Sequence, residues 1–429
     1  VCAIVSNIKA NIERARNLRE QNPQEALDIV GRVRSLIIEA GSGQETDRDL
    51  AWQAECALHA AWANLRLGRF RATFSEAEEG LALFRRSGSL QGAAGCLLVL
   101  AIAKAGEGEN EESVRLCRES EELCLKAGDP IGRARAINAS GGAYRRMGDP
   151  ARAIEAYNAS LLIAQENGDH MGESRALTNI GYTYLYEKKF EQAVGYARRV
   201  IEREPANGEL ADQLANCCNL IQALVGAGRP QEAIDFIAGY DLEKLASSGL
   251  LGFLELCDSL AKAYMRVGRH PEAAALLDRA IRRARANGNL GSLGYLLCTF
   301  AQLKRTAPAS DDGSRTETLA AAQVALEEAL ALADRKDSDS TYMIHEEFHQ
   351  VCRELGRTDE AFEHLAEAHR IALSLSAASA DLRLARQKSE QEAAVQRERA
   401  EAEARQLQIE RKVLQSQKIE SLGVLAGGV

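Results

Sequence analysis

Glycine recurs along this chain at a fixed interval. Gly68, Gly108, Gly148, Gly228 and Gly268 fall on one regular ladder, with Lys188 holding the missing place. Gly88, Gly128, Gly168, Gly208 and Gly288 form a second series at one or two times the same spacing, shifted by half a period. Glycine closes a helix in the left-handed conformation without a steric penalty. Two interleaved ladders therefore predict a helix–turn–helix unit whose two turns alternate every half period. Such a unit cannot bury its apolar face alone, but stacked copies can, and the expected fold is an all-α solenoid.

The residues around the glycines sharpen the expectation. Gly141, Tyr144, Ala153, Ile154 and Tyr157 surround Gly148, and the next copy repeats them as Gly181, Tyr184, Phe190, Ala193 and Val194. Near Gly268 the same places hold Ala261, Tyr264, Ala273 and Leu277. This pattern resembles the tetratricopeptide repeat, in a longer 40-residue form with extended helices. The resemblance implies a right-handed array of helix pairs, with small residues where the paired helices approach most closely and large ones, Tyr184 among them, filling the space opposite. Pro150, Pro230 and Pro271 follow their glycines and mark the starts of second helices, where a missing N–H would be unpaired anyway. The copy at Gly108 departs from the pattern, with Lys104 where Tyr is expected and Ser113 for Ala. Asn22 and Pro23, with Ala26 and Leu27, suggest an irregular N-terminal copy. The stretch from Gly268 to Gly356 is slightly longer than two periods, and the loop-forming run Arg305 to Gly313 places an enlarged loop near 305–316. About eight helix pairs are expected over 1–375.

Composition agrees with helices and narrows function. Ala, Leu, Glu and Arg dominate, and proline is limited to 7 residues. A net charge of -9 with interspersed signs argues against nucleic-acid binding, which requires a basic stripe. The ten cysteines fall at helical core spacings with no Cys-x-x-Cys pair, and read as buried reduced thiols of a cytoplasmic protein. The longest apolar run, Ala93 to Ala103, is too short to span a membrane.

The C-terminal part changes character. From about Ala377 to Glu420 the chain is dense in Glu, Arg, Gln and Ala, and Ala393, Ala400, Leu407 and Leu414 are seven apart. That spacing is a coiled-coil seam. Leu425 follows Leu414 by eleven residues, a stutter that locally unwinds a supercoil. The last residues, Gln417-Lys418-Ile419-Glu420-Ser421-Leu422-Gly423-Val424-Leu425-Ala426-Gly427-Gly428-Val429, resemble the segment just before the phosphorylated histidine of bacterial sensor histidine kinases. The resemblance implies a sensory and coupling region cut off before that histidine. Residues 376–429 would be a signalling helix leading into a dimerisation helix, with Leu407, Leu414, Ile419, Leu422 and Leu425 in a homodimer seam. ATP and Mg would belong only to the absent kinase core, and a response regulator would be a partner of the full-length protein. The chain begins at Val1, so both ends look like truncations. Two alternatives stand beside this reading: a non-enzymatic scaffold dimerised by its coiled coil, and the regulatory region of another output enzyme such as a nucleotide cyclase.

No catalytic residue and no resident cofactor are expected. The chain shows no Gly-rich phosphate loop and no Gly-x-Ser-x-Gly elbow. His345, Glu346 and His349 match the His-Glu-x-x-His pattern of zinc proteases, but the repeat register puts both histidines into helix packing, so no metal is expected. Tetratricopeptide arrays bind peptides or proteins along the wall lined by their first helices, and the resemblance carries that role here to Arg135, Asn138, Gly142 and Arg145, then Arg175, Asn179 and Tyr182, then Asn219 and Gln222. Asparagines there can hydrogen-bond an extended backbone, and arginines can pair with carboxylates.

Overall fold

A computed structural model describes residues 2–19, 22–40, 46–203, 210–248, 250–308, 312–333 and 338–374. Among them every regular element is a helix. The first six are α1 (Cys2–Leu18), α2 (Pro23–Ala40), α3 (Asp47–Arg66), α4 (Phe70–Ser87), α5 (Leu90–Gly106) and α6 (Asn110–Ala127). There follow α7 (Pro130–Arg146), α8 (Pro150–Glu166), α9 (His170–Tyr186), α10 (Phe190–Arg203), α11 (Leu210–Gly226) and α12 (Pro230–Ile237). The remainder are α13 (Leu242–Ser248), α14 (Leu250–Arg266), α15 (His270–Ala286), α16 (Leu290–Thr306), α17 (Asp312–Leu332), α18 (Ser338–Glu354) and α19 over 358–374. The tetratricopeptide-like solenoid expected from the ladders is what forms: α1, α3, α5, α7, α9, α11, α14, α16 and α18 are first helices, each packed against the second helix that follows it.

The ladders work as steric reasoning requires. Gly68, Gly88, Gly108, Gly128, Gly148, Gly168, Gly228, Gly268, Gly288 and Gly356 all have positive φ, and Lys188 is the non-glycine among the described residues that does, at 56°. Gly208 lies outside the described residues. Where aspartate follows the glycine, stop and start signals are compressed into two residues. The side chains of Asp129, Asp149 and Asp169 accept from the amides of Gly132, Arg152 and Gly172 at 2.8, 3.1 and 3.0 Å, capping α7, α8 and α9. The copy at Gly108 closes as a regular pair despite its departures: Ser113 is buried in the alanine place, and the Lys104 ammonium lies 4.8 Å from the centre of the Phe74 ring.

Three details differ from the regular repeat. The second helix after α11 is broken, with α12 stopping at Ile237 and α13 starting after Asp241, whose side chain accepts from the amides of Glu243 and Lys244. The enlarged loop expected near 305–316 lies partly outside the described residues; of its flanks, α16 runs to Thr306 and α17 begins at Asp312. Much of the extra length goes into α17, which is 21 residues long against 17 for α16, because after Gly313 its sequence is alanine-rich and free of glycine and proline. Tyr184 is only half-buried, stacked on Tyr196 with ring centres 5.5 Å apart. In the preceding pair Tyr157 fills the interior, 1% exposed and set against Gly141.

By internal contacts the chain divides into Val1–Ala368 and His369–Val429. The coiled-coil seam and the kinase-like segment, including Leu407, Leu414, Ile419, Leu422 and Leu425, lie outside the described residues.

Candidate ligand groove

Each first helix turns its small residues toward its own second helix and leaves a different stripe on the wall. One position of that stripe reads Glu55, Gly95, Arg135, Arg175, Ala215, Glu255 and Tyr295, each one period from the last. Another reads Trp62, Ile102, Gly142, Tyr182, Gln222, Lys262 and Gln302. Neighbouring first helices are tied together across the wall by polar side chains. Asn179 Nδ2 donates to Asn138 Oδ1 at 3.1 Å, Thr178 Oγ1 to Asn216 Oδ1 at 3.2 Å, and Thr299 Oγ1 to Asp258 Oδ1 at 2.5 Å. Arg266 Nη1 donates to the Val225 carbonyl at 2.9 Å. Buried and half-buried polar groups are thus satisfied by the next repeat, which fixes the spacing of the wall.

The residues expected to bind a ligand fall into four settings. Arg135 is exposed and lines a recess of about 320 Å³ built by α1, α3, α5, α6 and α7. Asn138 and Asn179 are half-buried and bonded to each other, so part of their hydrogen-bonding capacity is already committed to the fold. Arg145 lies over the Tyr182 ring, 4.8 Å from its centre, and Tyr182 is 41% exposed; Arg175 is exposed on the same helix as Tyr182. Asn219 faces a void of about 10 Å³ between α9, α10 and α11, too small to admit a ligand, while Gln222 lines a second recess of about 360 Å³ with Phe190, Asp258, Ser259, Lys262 and Arg266.

Several wall residues were not singled out from sequence. In the first recess His59 Nδ1 stands 3.0 Å from Arg19 Nη1, and its Nε2 is 3.2 Å from Glu55. Since arginine can only donate, Nδ1 accepts and the hydrogen sits on Nε2, which is close to Glu55 without the alignment of a hydrogen bond. Burial holds the His59 pKa below its ordinary value, and the Glu55 carboxylate opposes this only in part. In the second recess Asp258 is buried and paired with Lys262 at 2.7 Å. Arg146, next to Arg145, is exposed at the surface, yet partial burial of its guanidinium and then repulsion from Arg145 lower its pKa. Carrying the stripe of Arg135 back by one and two periods points to Gly95 and Glu55, so the register itself held the missing signal.

Among the described residues no group of three or more His, Cys, Asp and Glu side chains is placed to hold a metal ion. His349 Nδ1 is 2.9 Å from the Ala361 carbonyl, and His345 Nδ1 is 2.9 Å from His364 Nδ1, so this pair of helix-spaced histidines docks α18 against α19. The cysteines from Cys56 to Cys352 are free and buried; burial pushes the thiols of Cys56, Cys96, Cys117, Cys257 and Cys298 up to about 12, which keeps them protonated and unreactive. No helix among the described residues is long and apolar enough to cross a membrane.

Comparison with known proteins agrees with this geometry. The 43 kDa receptor-associated protein of the synapse from Tetronarce californica is 26% identical over 178 residues, 41% of this chain and 42% of that protein, so the chain spans under half the length of the curated relative it matches. Among solved structures, the apo form of the quorum sensor NprR from B. thuringiensis is similar at a TM-score of 0.59 and 14% identity, over 86% of this chain and 99% of that one. The apo form of RapI gives 0.61 at 11% identity over 86% and 98% of the two chains. A Rap protein complexed with competence and sporulation factor gives 0.53 at 13% over 87% and 99%. At these identities the likeness to solved structures is one of fold. Residues 132–203 and 256–290 match tetratricopeptide-repeat sequence models, and the chain carries tetratricopeptide repeats within an all-helical solenoid.

Proposed function

We propose that this chain is a peptide- or protein-binding scaffold that holds an extended segment along the wall of first helices, with Arg135, Asn138, Arg145, Arg175, Asn179, Tyr182, Asn219 and Gln222 in or beside the contact. The observation that carries the reading is the stripe itself. Arg135, Arg145, Arg175 and Tyr182 project from adjacent first helices whose spacing is held by the Asn138 to Asn179 bond. A similar solenoid, the Rap protein, has been solved with competence and sporulation factor bound, which supports a ligand-binding use of the fold. The test is a photo-reactive phenylalanine analogue at Tyr182 and, as control, at Leu162, which is 56% exposed on second helix α8. Adducts with a discrete partner are expected at position 182; adducts at 162 alone would oppose the reading.

A finer reading rests on the resemblance of residues 417–429 to the segment preceding a phosphoacceptor histidine. In it the scaffold is the sensory region of a cytoplasmic histidine kinase that acts as a homodimer and signals to a response regulator. Ligand capture would shift the signalling helix, and ATP and Mg would serve the kinase core. Reading the codons after Val429 tests it. Ala-His-Asp or Ala-His-Glu followed by Asn-Asn supports the kinase, and a stop codon leaves the scaffold alone.

A further inference from the structure

Three arginines of α7 stand apart from the others on these helices. Arg133 pairs with Glu121 at 3.1 Å, and Arg152 on α8 pairs with Asp149 at 2.6 Å. Arg135, Arg145 and Arg146 form no ion pair among the described residues. Arg145 and Arg146 are nonetheless adjacent, and both lie beside the Tyr157 hydroxyl, where they offset part of the rise in its pKa that burial causes. Like charges gathered without a counter-charge repel one another, and an anion placed between them would relieve that repulsion.

Gly142 gives an independent indication. It sits inside α7, where glycine weakens a helix relative to alanine. Its neighbour Gly141 has a packing reason, because a Cβ there would lie 2.6 Å from the Tyr157 ring. Gly142 has none. A Cβ at 142 would meet nothing nearer than Arg146 Nη1 at 3.7 Å and the Tyr157 hydroxyl at 3.8 Å, both ordinary contacts. The bare backbone therefore forms a floor with the Arg146 guanidinium at its edge and the buried Tyr157 hydroxyl behind it.

We propose that Gly142, Arg145 and Arg146 form a carboxylate cradle, backed by the buried Tyr157 hydroxyl, and that the segment held in the groove is an acidic peptide that lays an Asp or Glu side chain over Gly142, with Arg135 further along the same helix to meet a second acid. The Tyr182 ring under Arg145 keeps that guanidinium extended toward the groove. This rests on the groove reading above and adds the chemistry of the ligand to it.

The experiment pans a random displayed-peptide library on the full chain and on the Arg145→Gln/Arg146→Gln chain. Asp and Glu should be enriched on the first and lose that enrichment on the second. The strongest acidic peptide, made with an amidated C-terminus, should bind the double variant roughly tenfold or more weakly, as expected when charged partners are removed from an interface. Its Glu→Gln and Asp→Asn version should bind the unaltered chain as weakly. Helical signal and melting temperature check that the double variant folds. Should it not, Gly142→Leu, which fills the floor and leaves both charges, must weaken the same peptide. Peptides selected without acidic enrichment, or bound equally by both chains, overturn the cradle and leave the groove reading standing. A library that yields no binder above background overturns both.

Discussion

Two adjacent glycines should respond to the same substitution with opposite signs. Replacing Gly141 by alanine puts a methyl 2.6 Å from Cε1 and 2.8 Å from Cδ1 of Tyr157, a ring that is 1% exposed and has nowhere to retreat. Overpacking of this kind costs about 1–3 kcal/mol. Removing glycine from a helix interior returns about 0.5–1 kcal/mol, so Gly141→Ala should destabilise by up to about 2.5 kcal/mol. At Gly142 the nearest atom is 3.7 Å away, no packing term opposes the propensity gain, and Gly142→Ala should stabilise by about 0.5–1 kcal/mol. A long repeat array departs from two-state unfolding, so the reading should be local: hydrogen exchange of the α7 and α8 amides, with a change of about fivefold per kcal/mol. Exchange should quicken in Gly141→Ala and slow in Gly142→Ala. Shifts of the same sign would refute the packing argument, and a destabilised Gly142→Ala would remove the reason for regarding that glycine as functional.

Lys188 is in the left-handed region at φ 56°, a conformation that costs a side chain about 1–2 kcal/mol, so Lys188→Gly should raise stability by somewhat less than that, seen as a higher melting temperature. Burial, then His345, holds the His364 pKa below the ordinary imidazole value, with His349 adding to the effect and Glu363 and Glu360 opposing it. A depressed histidine pKa contributes stability that is present above about pH 6.5 and lost as pH falls through the folded value. The protection factors of the α18 amides, taken against the intrinsic exchange rate at each pH, should therefore fall on acidification below that pH, and His364→Phe, which keeps the ring stacked on Phe348 at 4.2 Å, should remove the His364 share of the change. Tyr157→Ala empties a fully buried site and should cost about 3–5 kcal/mol, whereas Arg135→Ala, exposed and without an ion pair, should change stability by about 0.5 kcal/mol or less; thermal melting separates the two.

The repeat was legible because its punctuation is steric. A left-handed turn needs glycine, so counting glycines located the turns, and the same count marked Lys188 as the place where a side chain accepts that conformation. The break between α12 and α13 and the long α17 were not visible in that count, since they depend on how far a helix propagates between turns. The site was legible by stripe and not by partner. Asn138 and Asn179 could each be assigned to the wall, but their bond depends on the axial offset of neighbouring first helices, which pairs positions one residue out of step with the repeat. Arg146 escaped notice because one position further round a helix is ordinarily solvent; only the fold shows its guanidinium over Gly142 beside the Tyr157 hydroxyl. The kinase-like segment speaks through its sequence alone, since residues 417–429 lie outside the described ones.

If ligands are held on the first-helix wall, binding must protect first helices and spare second ones. Hydrogen exchange of the full chain, with and without an acidic peptide selected on it, tests this most directly. Protection should appear in α7, α9 and α11, and α8 and α10 should exchange as before. Protection confined to α8 and α10 would place the ligand on the opposite side of the repeat and contradict the account.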